Sequence, residues 1–391
     1  MIYLDANATT PLDPRVLNTI VDELQQLGNA SSAHAAGQRA KTAVHAARAA
    51  IADLIAADPR EIVFTAGATE ADNLAVLGLT PDLRRTTVIC AATEHPAVLE
   101  PVQWLRANEC RGAVVTVDRN GVVDLDALEA MVDSHTLLVS VMAVNNETGA
   151  MAPLSEVAEI VHRAGALLHT DATQLMAWGP VDVDELGVDL LSMSAHKLHG
   201  PAGVGALYVR DEVRHLLQPR LLGGAQEDGL RSGTLNTPGI AGFGHAARIV
   251  ADEGPAAAAR VTRLRDDLSS RLAAAVPIHV HCGDVGRAPG TLNIAIADAP
   301  ADRVLAGASE VAASRGSACA GAGDKPSPVL TAMGVPLAQI ECSMRLSLHR
   351  ETTETDVTRA AELLSASALR VRGQTISEPR TPQLEHVGGQ R

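Results

Sequence analysis

Between residues 60 and 210 the chain alternates short, nearly continuous apolar runs with longer stretches whose apolar side chains recur three and four positions apart. The short runs fall at 61–65, 87–90, 113–117, 137–141, 167–170, 190–193 and 205–209. They are rich in Val, Ile and Leu and bounded by polar residues, the pattern of strands buried on both faces. The stretches 126–132 and 154–164 between them carry helical periodicity. Strands alternating with helices predict an α/β fold, with one mainly parallel, doubly wound sheet covered on both faces.

A long helical stretch, 239–276, rich in Ala and Arg, follows and leads toward a second unit. That unit mixes an apolar strand at 292–296, a helix from Ala301 and a terminal helix from Thr353 to about Arg370. The polar, Pro- and Gly-containing stretch after Gln374 has no such periodicity and reads as disordered. At 391 residues, the chain exceeds what one hydrophobic core usually supports, so one large and one smaller domain are expected. No internal repeat is evident.

Composition narrows the function classes. Hydrophobic residues make up 46% and charged residues 20%, a globular balance, while aromatics are only 2%, so Ala, Val and Leu must fill the core. The formal charge of −14 and the lack of a basic run argue against nucleic acid or an anionic membrane as partner. No apolar segment has transmembrane length, and the N-terminus lacks a signal-peptide layout, so a cytoplasmic protein is expected. Cys90, Cys110, Cys282, Cys319 and Cys342 are odd in number, far apart and free of C-x-x-C pairs, which speaks against a disulfide framework or a metal site.

The chemistry concentrates at predicted strand ends. Asp171 closes one apolar strand, and Lys197, in Ser194-Ala195-His196-Lys197, follows the next. In a parallel sheet both would reach the carboxyl edge, where α/β proteins place ligands. A lysine and an acid meeting there suit pyridoxal 5'-phosphate (PLP), the lysine as Schiff base and the acid against the pyridinium nitrogen; an ordinary surface acid and lysine are the alternative. Ala68 and Thr69, after Gly67, open a helix whose N-terminal N–H groups would cradle a phosphate or simply be capped. His95 in Thr93-Glu94-His95-Pro96 would stack on a flat ring, shuttle protons or bond a loop carbonyl. Asn146 and Gln174 would hydrogen-bond cofactor oxygens, although Asn145 to Gly149 also reads as a turn.

Two further residues stand apart. Cys319 sits among small residues and glycines, a setting that suits an exposed nucleophile but also fits an incidental loop thiol. Arg345 lies in a short alternating strand, where its guanidinium would anchor a substrate carboxylate or form a surface ion pair.

Apart from Arg345, these residues lie in segments that resemble the cysteine desulfurases, PLP enzymes of fold type I in the class V aminotransferase group, over nearly the whole chain to about residue 370. The segments are YLDANATTPLDPRV (3–16), ADPREIVFTAGATEADNLA (57–75), TEHPAVLE (93–100), VNNETG (144–149), HTDATQ (169–174), SAHK (194–197), GVGALYVR (203–210), RSGT (231–234), and GSACAGAG (316–323) followed by PSPVL (326–330). The resemblance implies a PLP-binding large domain over 15–255 with a mainly parallel seven-stranded sheet. It also implies a smaller α+β domain over 256–370 with the N-terminal segment 1–14, and a tail over 371–391.

It further implies roles residue by residue. Lys197 would hold the cofactor and move the substrate proton, Asp171 would face the ring nitrogen, and His95 would stack on the ring. Gln174 and Asn146 would contact the ring oxygen, and Ala68, Thr69, Ser194 and His196 the phosphate. Thr234 would reach the phosphate site of the other subunit, which makes the enzyme a homodimer. Arg345, with Asn146, would bind the carboxylate of L-cysteine. Cys319 would take its sulfur as a persulfide, leaving L-alanine, and pass the sulfur to an acceptor protein serving iron–sulfur clusters, tRNA or a thio-cofactor. Selenocysteine lyase is the alternative within the same chemistry, since the run 324–328 also resembles those enzymes; a non-catalytic scaffold or a PLP enzyme with an incidental Cys319 are the others. Ala195, Ala202, Asp228 and His349 depart from the family pattern, and none of these departures removes a catalytic group.

Overall fold

The computed structural model describes residues 1–79, 85–107, 111–315 and 325–377. Its strands in chain order are β1 (Ile2–Tyr3), β2 (Ile62–Thr65), β3 (Thr87–Ala91), β4 (Arg111–Val115), β5 (Thr136–Ser140), β6 (Leu167–Asp171) and β7 (Leu190–Ser194). They continue with β8 (Gly205–Val209), β9 (Ile278–Val280), β10 (Thr291–Ile296), β11 (Val311–Ala312), β12 (Ser314–Arg315) and β13 (Ser343–Ser347).

Seven of these form the main sheet, in the order β2-β8-β7-β6-β5-β3-β4. All neighbours run parallel except β8, which is antiparallel to both β2 and β7. The central strands β5, β7 and β8 are buried along their whole length, which is why their sequences read as continuous apolar runs rather than alternating ones. The fold is thus α/β of the expected kind. One strand is displaced: the apolar run 113–117 predicts a strand there, whereas β4 spans Arg111–Val115. Its parallel register with β3, Thr87 opposite Arg111 and Ala91 opposite Val115, sets the limits, and Val117 instead bridges Val123 in the following turn.

A four-stranded antiparallel sheet, β12-β13-β10-β9, forms a second layer with its own apolar core, which includes Leu292, Ile294, Met344 and Leu346. The N-terminal Ile2 and Leu4 belong to this core, and β1 pairs in parallel with β11. The helix Thr237–Ala275 joins the two cores. Ile240, Phe243, Ala246 and Val250 pack on the main sheet side, and Val261, Leu264, Leu268 and Leu272 pack on the second. Pro255, inside this helix, falls between the two sets. The terminal helix, Glu354–Ser377, continues into the stretch expected to be a disordered tail, so residues 371–377 are helical instead, and 378–391 lie outside the described residues. No helix among the described residues is long and apolar enough to cross a membrane.

The helices Ala35–Leu54 and Thr237–Ala275 touch through backbone at Gly244, where an added Cβ would lie 2.4 Å from Ala47 Cα. Helix propensity alone favours Gly244→Ala by about 1 kcal/mol. The contact reverses the sign, because the two helices must separate and open their shared core. Gly244→Ala is therefore expected to lower the urea or thermal unfolding midpoint; a raised midpoint contradicts this packing.

Candidate active site

The carboxyl ends of β2, β3, β5, β6 and β7 open onto one cavity of about 910 Å³. Ala68, Thr69, His95, Asn146, Asp171, Gln174, Ser194, His196, Lys197 and Arg345, all anticipated from sequence, line it together. Two anticipated residues do not. Thr234 is exposed, ahead of the helix Thr237–Ala275 and outside the cavity of its own chain. Cys319 lies outside the described residues. Of the described residues that flank its segment, Arg315 pairs with Met344, the neighbour of Arg345, and the Ser327 hydroxyl donates to Oε2 of Glu147, the neighbour of Asn146, at 2.5 Å.

At the base, Asp171 ends β6 directly opposite Ser192 of β7, so strand register places it close to the turn Ala195–Lys197 that follows β7. Asp171 is 7% and Lys197 8% exposed. Asp171 Oδ1 accepts from the Thr173 N–H at 2.9 Å. Lys197 Nζ donates to the backbone carbonyls of Asn7 and, at 2.7 Å, Ala8. Two more acids, Asp72 and Glu94, are buried beside Asp171. Burial, reinforced by the Asp171 charge, pushes both carboxyls far up toward the protonated form. His169, wholly buried behind them, bridges the hydroxyls of Ser140 at 2.8 Å and Ser192 at 2.9 Å, and burial lowers its pKa to about 3, which keeps it neutral.

At the opposite end, the helix Ala68–Gly78 points its N-terminus into the cavity with no side-chain cap, and Gly67, at φ +156°, leaves open space where a Cβ would stand. Gly205 of β8 permits this loop to cross, since its Cβ would come within 2.6 Å of the Gly67 backbone. Uncapped N–H groups with room before them form an anion cradle. His196 flanks it, its Nδ1 3.0 Å from Thr9 Oγ1, and burial together with the Lys197 charge lowers its pKa to about 4, leaving it neutral. His95 Nδ1 accepts from the Ala97 N–H at 3.1 Å, which assigns the proton of a neutral ring to Nε2.

At the third side, Arg345 on β13 is 1% exposed; it donates to the Asn146 carbonyl at 2.9 Å and to Asp5 Oδ1 at 2.8 Å. Gln174 Nε2 donates to the Asn7 carbonyl at 3.0 Å, and Asn7 Nδ2 to the Asn146 carbonyl at 3.1 Å. The N-terminal turn thus ties Lys197, Gln174, Asn146 and Arg345 together. Sequence reasoning assigned no role to Asp5, Asn7, Ala8, Asp72 or Glu147; the only signal was the polar run after Leu4 and an acid among the apolar positions Ala71, Leu74 and Ala75.

The donor set fits PLP: an anion cradle at one end, an amine and a buried carboxylate at the other, a cationic anchor to the side, and unpartnered Asp72 oxygens and Arg345 Nε in its lining. The departures from the family pattern leave this intact. Ala202 lines the cavity, Ala195 is buried, Asp228 pairs with Arg214 at 2.9 Å, and the His349 ring lies 5.5 Å from that of His199.

The class-V aminotransferase family model matches residues 2–360. A cysteine desulfurase from Frankia sp. (strain EuIK1) is 45% identical over 399 aligned positions, covering 97% of this chain and 94% of that protein. A solved NifS-like protein is similar with a TM-score of 0.86 at 35% identity, covering 93% of this chain and 98% of its own. A structure of SspA in complex with cysteine gives 0.80 at 32% identity, covering 90% of this chain and 100% of its own.

Glu147, 2% exposed at the edge of this site, carries a pH-dependence. Burial raises its pKa from 4.5 to about 7, against the opposing Ser327 hydroxyl and Arg345 charge. A raised pKa means the folded state holds the proton more tightly. That stabilisation is complete below pH 4.5 and is lost as pH rises through 7. Glu147→Gln should therefore gain on the native protein between pH 5 and pH 8, by up to about 3 kcal/mol in urea unfolding. Equal pH-dependence of the two proteins contradicts this.

Proposed function

We propose, for a chain that belongs to the class-V aminotransferase family and to its PLP-dependent cysteine desulfurases, that the cavity residues divide the conversion of L-cysteine to L-alanine as follows. PLP, when bound, supplies an electron sink that weakens the bonds at the substrate's α-carbon. Lys197 holds the cofactor covalently and later carries a proton on Nζ. Asp171 faces the ring nitrogen, beside Asp72 and Glu94, which burial pushes toward the neutral form. His95 covers the ring face and offers a proton from Nε2. Gln174 and Asn146 meet the ring oxygen. Ala68, Thr69, Ser194 and His196 hold the phosphate at the helix N-terminus. Arg345, with Asn146, takes the substrate carboxylate.

Cys319, as thiolate, attacks the substrate sulfur; the Cβ–Sγ bond of L-cysteine breaks, its electron pair stays with Cβ, which takes up a proton to become the methyl of L-alanine, and Cys319 keeps the sulfur as a persulfide that passes to an acceptor for iron–sulfur clusters, tRNA or a thio-cofactor. A free cysteine thiol has a pKa of about 8.5, so a neighbouring cation or imidazole must favour the thiolate. The enzyme works as a cytoplasmic homodimer in which Thr234 reaches the phosphate site of the second subunit. The exposed Thr234 supports this, as does the apolar stripe Leu17, Val21 and Leu24, 46%, 41% and 67% exposed on one helix. The large domain spans 15–255, and 1–14 joins 256–370.

The observation that carries this reading is the convergence of a buried lysine, a buried aspartate, a buried arginine and an uncapped helix N-terminus on one cavity. Lys197→Ala should abolish borohydride fixation of PLP and lower alanine formation by about 10³-fold. Cys319→Ala should lower sulfide or persulfide release on the order of 100-fold or more. Undiminished release from Cys319→Ala removes the cysteine nucleophile; a protein that cannot take up PLP removes the whole assignment.

A further inference from the structure

The N-terminal turn reaches the substrate anchor from behind. Asp5 does not line the cavity, yet its Oδ1 accepts from Arg345 at 2.8 Å and from the Ser314 hydroxyl at 2.8 Å. The turn is firmly held. Asp5 bridges Ser347 in parallel, the Ala6 N–H donates to the Ser347 carbonyl at 3.1 Å, and the Asp5 carbonyl accepts from Ala8 N–H at 2.9 Å and from the Tyr3 hydroxyl at 3.2 Å. The Arg345 guanidinium therefore lies between a fixed carboxylate and the cavity. Among the described residues, Asp5 is the one carboxylate paired with it, the Asn146 carbonyl is neutral, and Nε has no partner.

We propose that Asp5 is the counter-ion that sets how strongly Arg345 takes up a substrate carboxylate. A lone guanidinium at 1% exposure would bind any small carboxylate tightly, including that of the alanine left after sulfur removal. With Asp5 behind it the pair is electrically neutral. The incoming carboxylate is then held by the remaining N–H donors and their orientation, while part of the Coulomb attraction is already spent on Asp5. Product and substrate share this carboxylate, so the pairing weakens both and favours release of alanine. Asp5 is in this sense a positioning and affinity-setting residue, because it acts through Arg345. The inference rests on the reading of Arg345 as carboxylate anchor.

The test uses the PLP-loaded enzyme and L-alanine, whose binding is read from the change in the cofactor's absorption band, independently of turnover. Asp5→Asn keeps an oxygen facing Arg345 and Ser314 but removes the charge. It is expected to tighten L-alanine about tenfold, a gain limited by the partial exposure of the Asp5 side chain (21%), and to lower KM for L-cysteine in parallel. Asp5→Glu, which restores the charge, should return both toward native values. Should Asp5→Asn fail to fold, Ser314→Ala loosens the Asp5 carboxylate without altering either charge and should tighten L-alanine by a smaller factor, about twofold. A merely structural Asp5 predicts weaker or unchanged L-alanine binding in these variants, and either result overturns the proposal. Arg345→Lys separates the two readings. If it leaves L-alanine affinity unchanged, the anchor assignment fails and the Asp5 proposal falls with it. If it weakens L-alanine at least tenfold while Asp5→Asn does not tighten it, Asp5 alone is refuted.

Discussion

A buried ammonium and a buried carboxylate, held near each other at the edge of one sheet, are the constraint around which this molecule is built. Strand register sets their separation: Asp171 stands opposite Ser192, and Lys197 is the third residue after β7 ends. Neither group has enough water to solvate it, so the fold must supply partners. Backbone carbonyls from the N-terminal turn serve the lysine, and a backbone N–H serves the aspartate. Two more acids placed beside Asp171 give way by holding their protons, and a neutral histidine closes the layer behind. The polar interior is thus a graded arrangement in which few groups are forced to be charged.

The cavity also collects features that a purely structural core would avoid. Buried oxygens of Asp72 and Nε of Arg345 go unpartnered, and a helix begins without a cap. Each costs stability, and the surrounding layers offset it: central strands buried along their length and a helix that shares its apolar face between two cores. Concentrating unmet polar groups at the edge of a well-packed sheet is what a ligand site requires.

Much of this was legible in the sequence, and the parts that were not share a cause. The central strands announced themselves because burial on both faces leaves no polar alternation, and chemistry at their ends followed from the parallel arrangement. The β4 limits were missed because strand ends obey register with β3 rather than the extent of the apolar run. Asp72 reads as a surface acid of a helix, but that helix lies across β7 and β8, which buries it. Asp5 and Asn7 were silent because their partners, Arg345 and Ser347, lie 340 positions away, and contacts so distant leave no local periodicity. Cys319, singled out by the small residues and glycines around it, lies outside the described residues.

The same separation has a temporal side. A growing chain can build the main sheet once β8 has been made, well before β13 exists. Until β13 arrives, Asp5 and Asn7 lack Arg345 and Ser347, and the carbonyls that receive Lys197 have no fixed place. This early segment is therefore fixed only by residues near the far end of the sequence. Competence for chemistry thus depends on β13 as well as on the main sheet, because the mouth of the cavity is closed by contacts that span nearly the whole sequence.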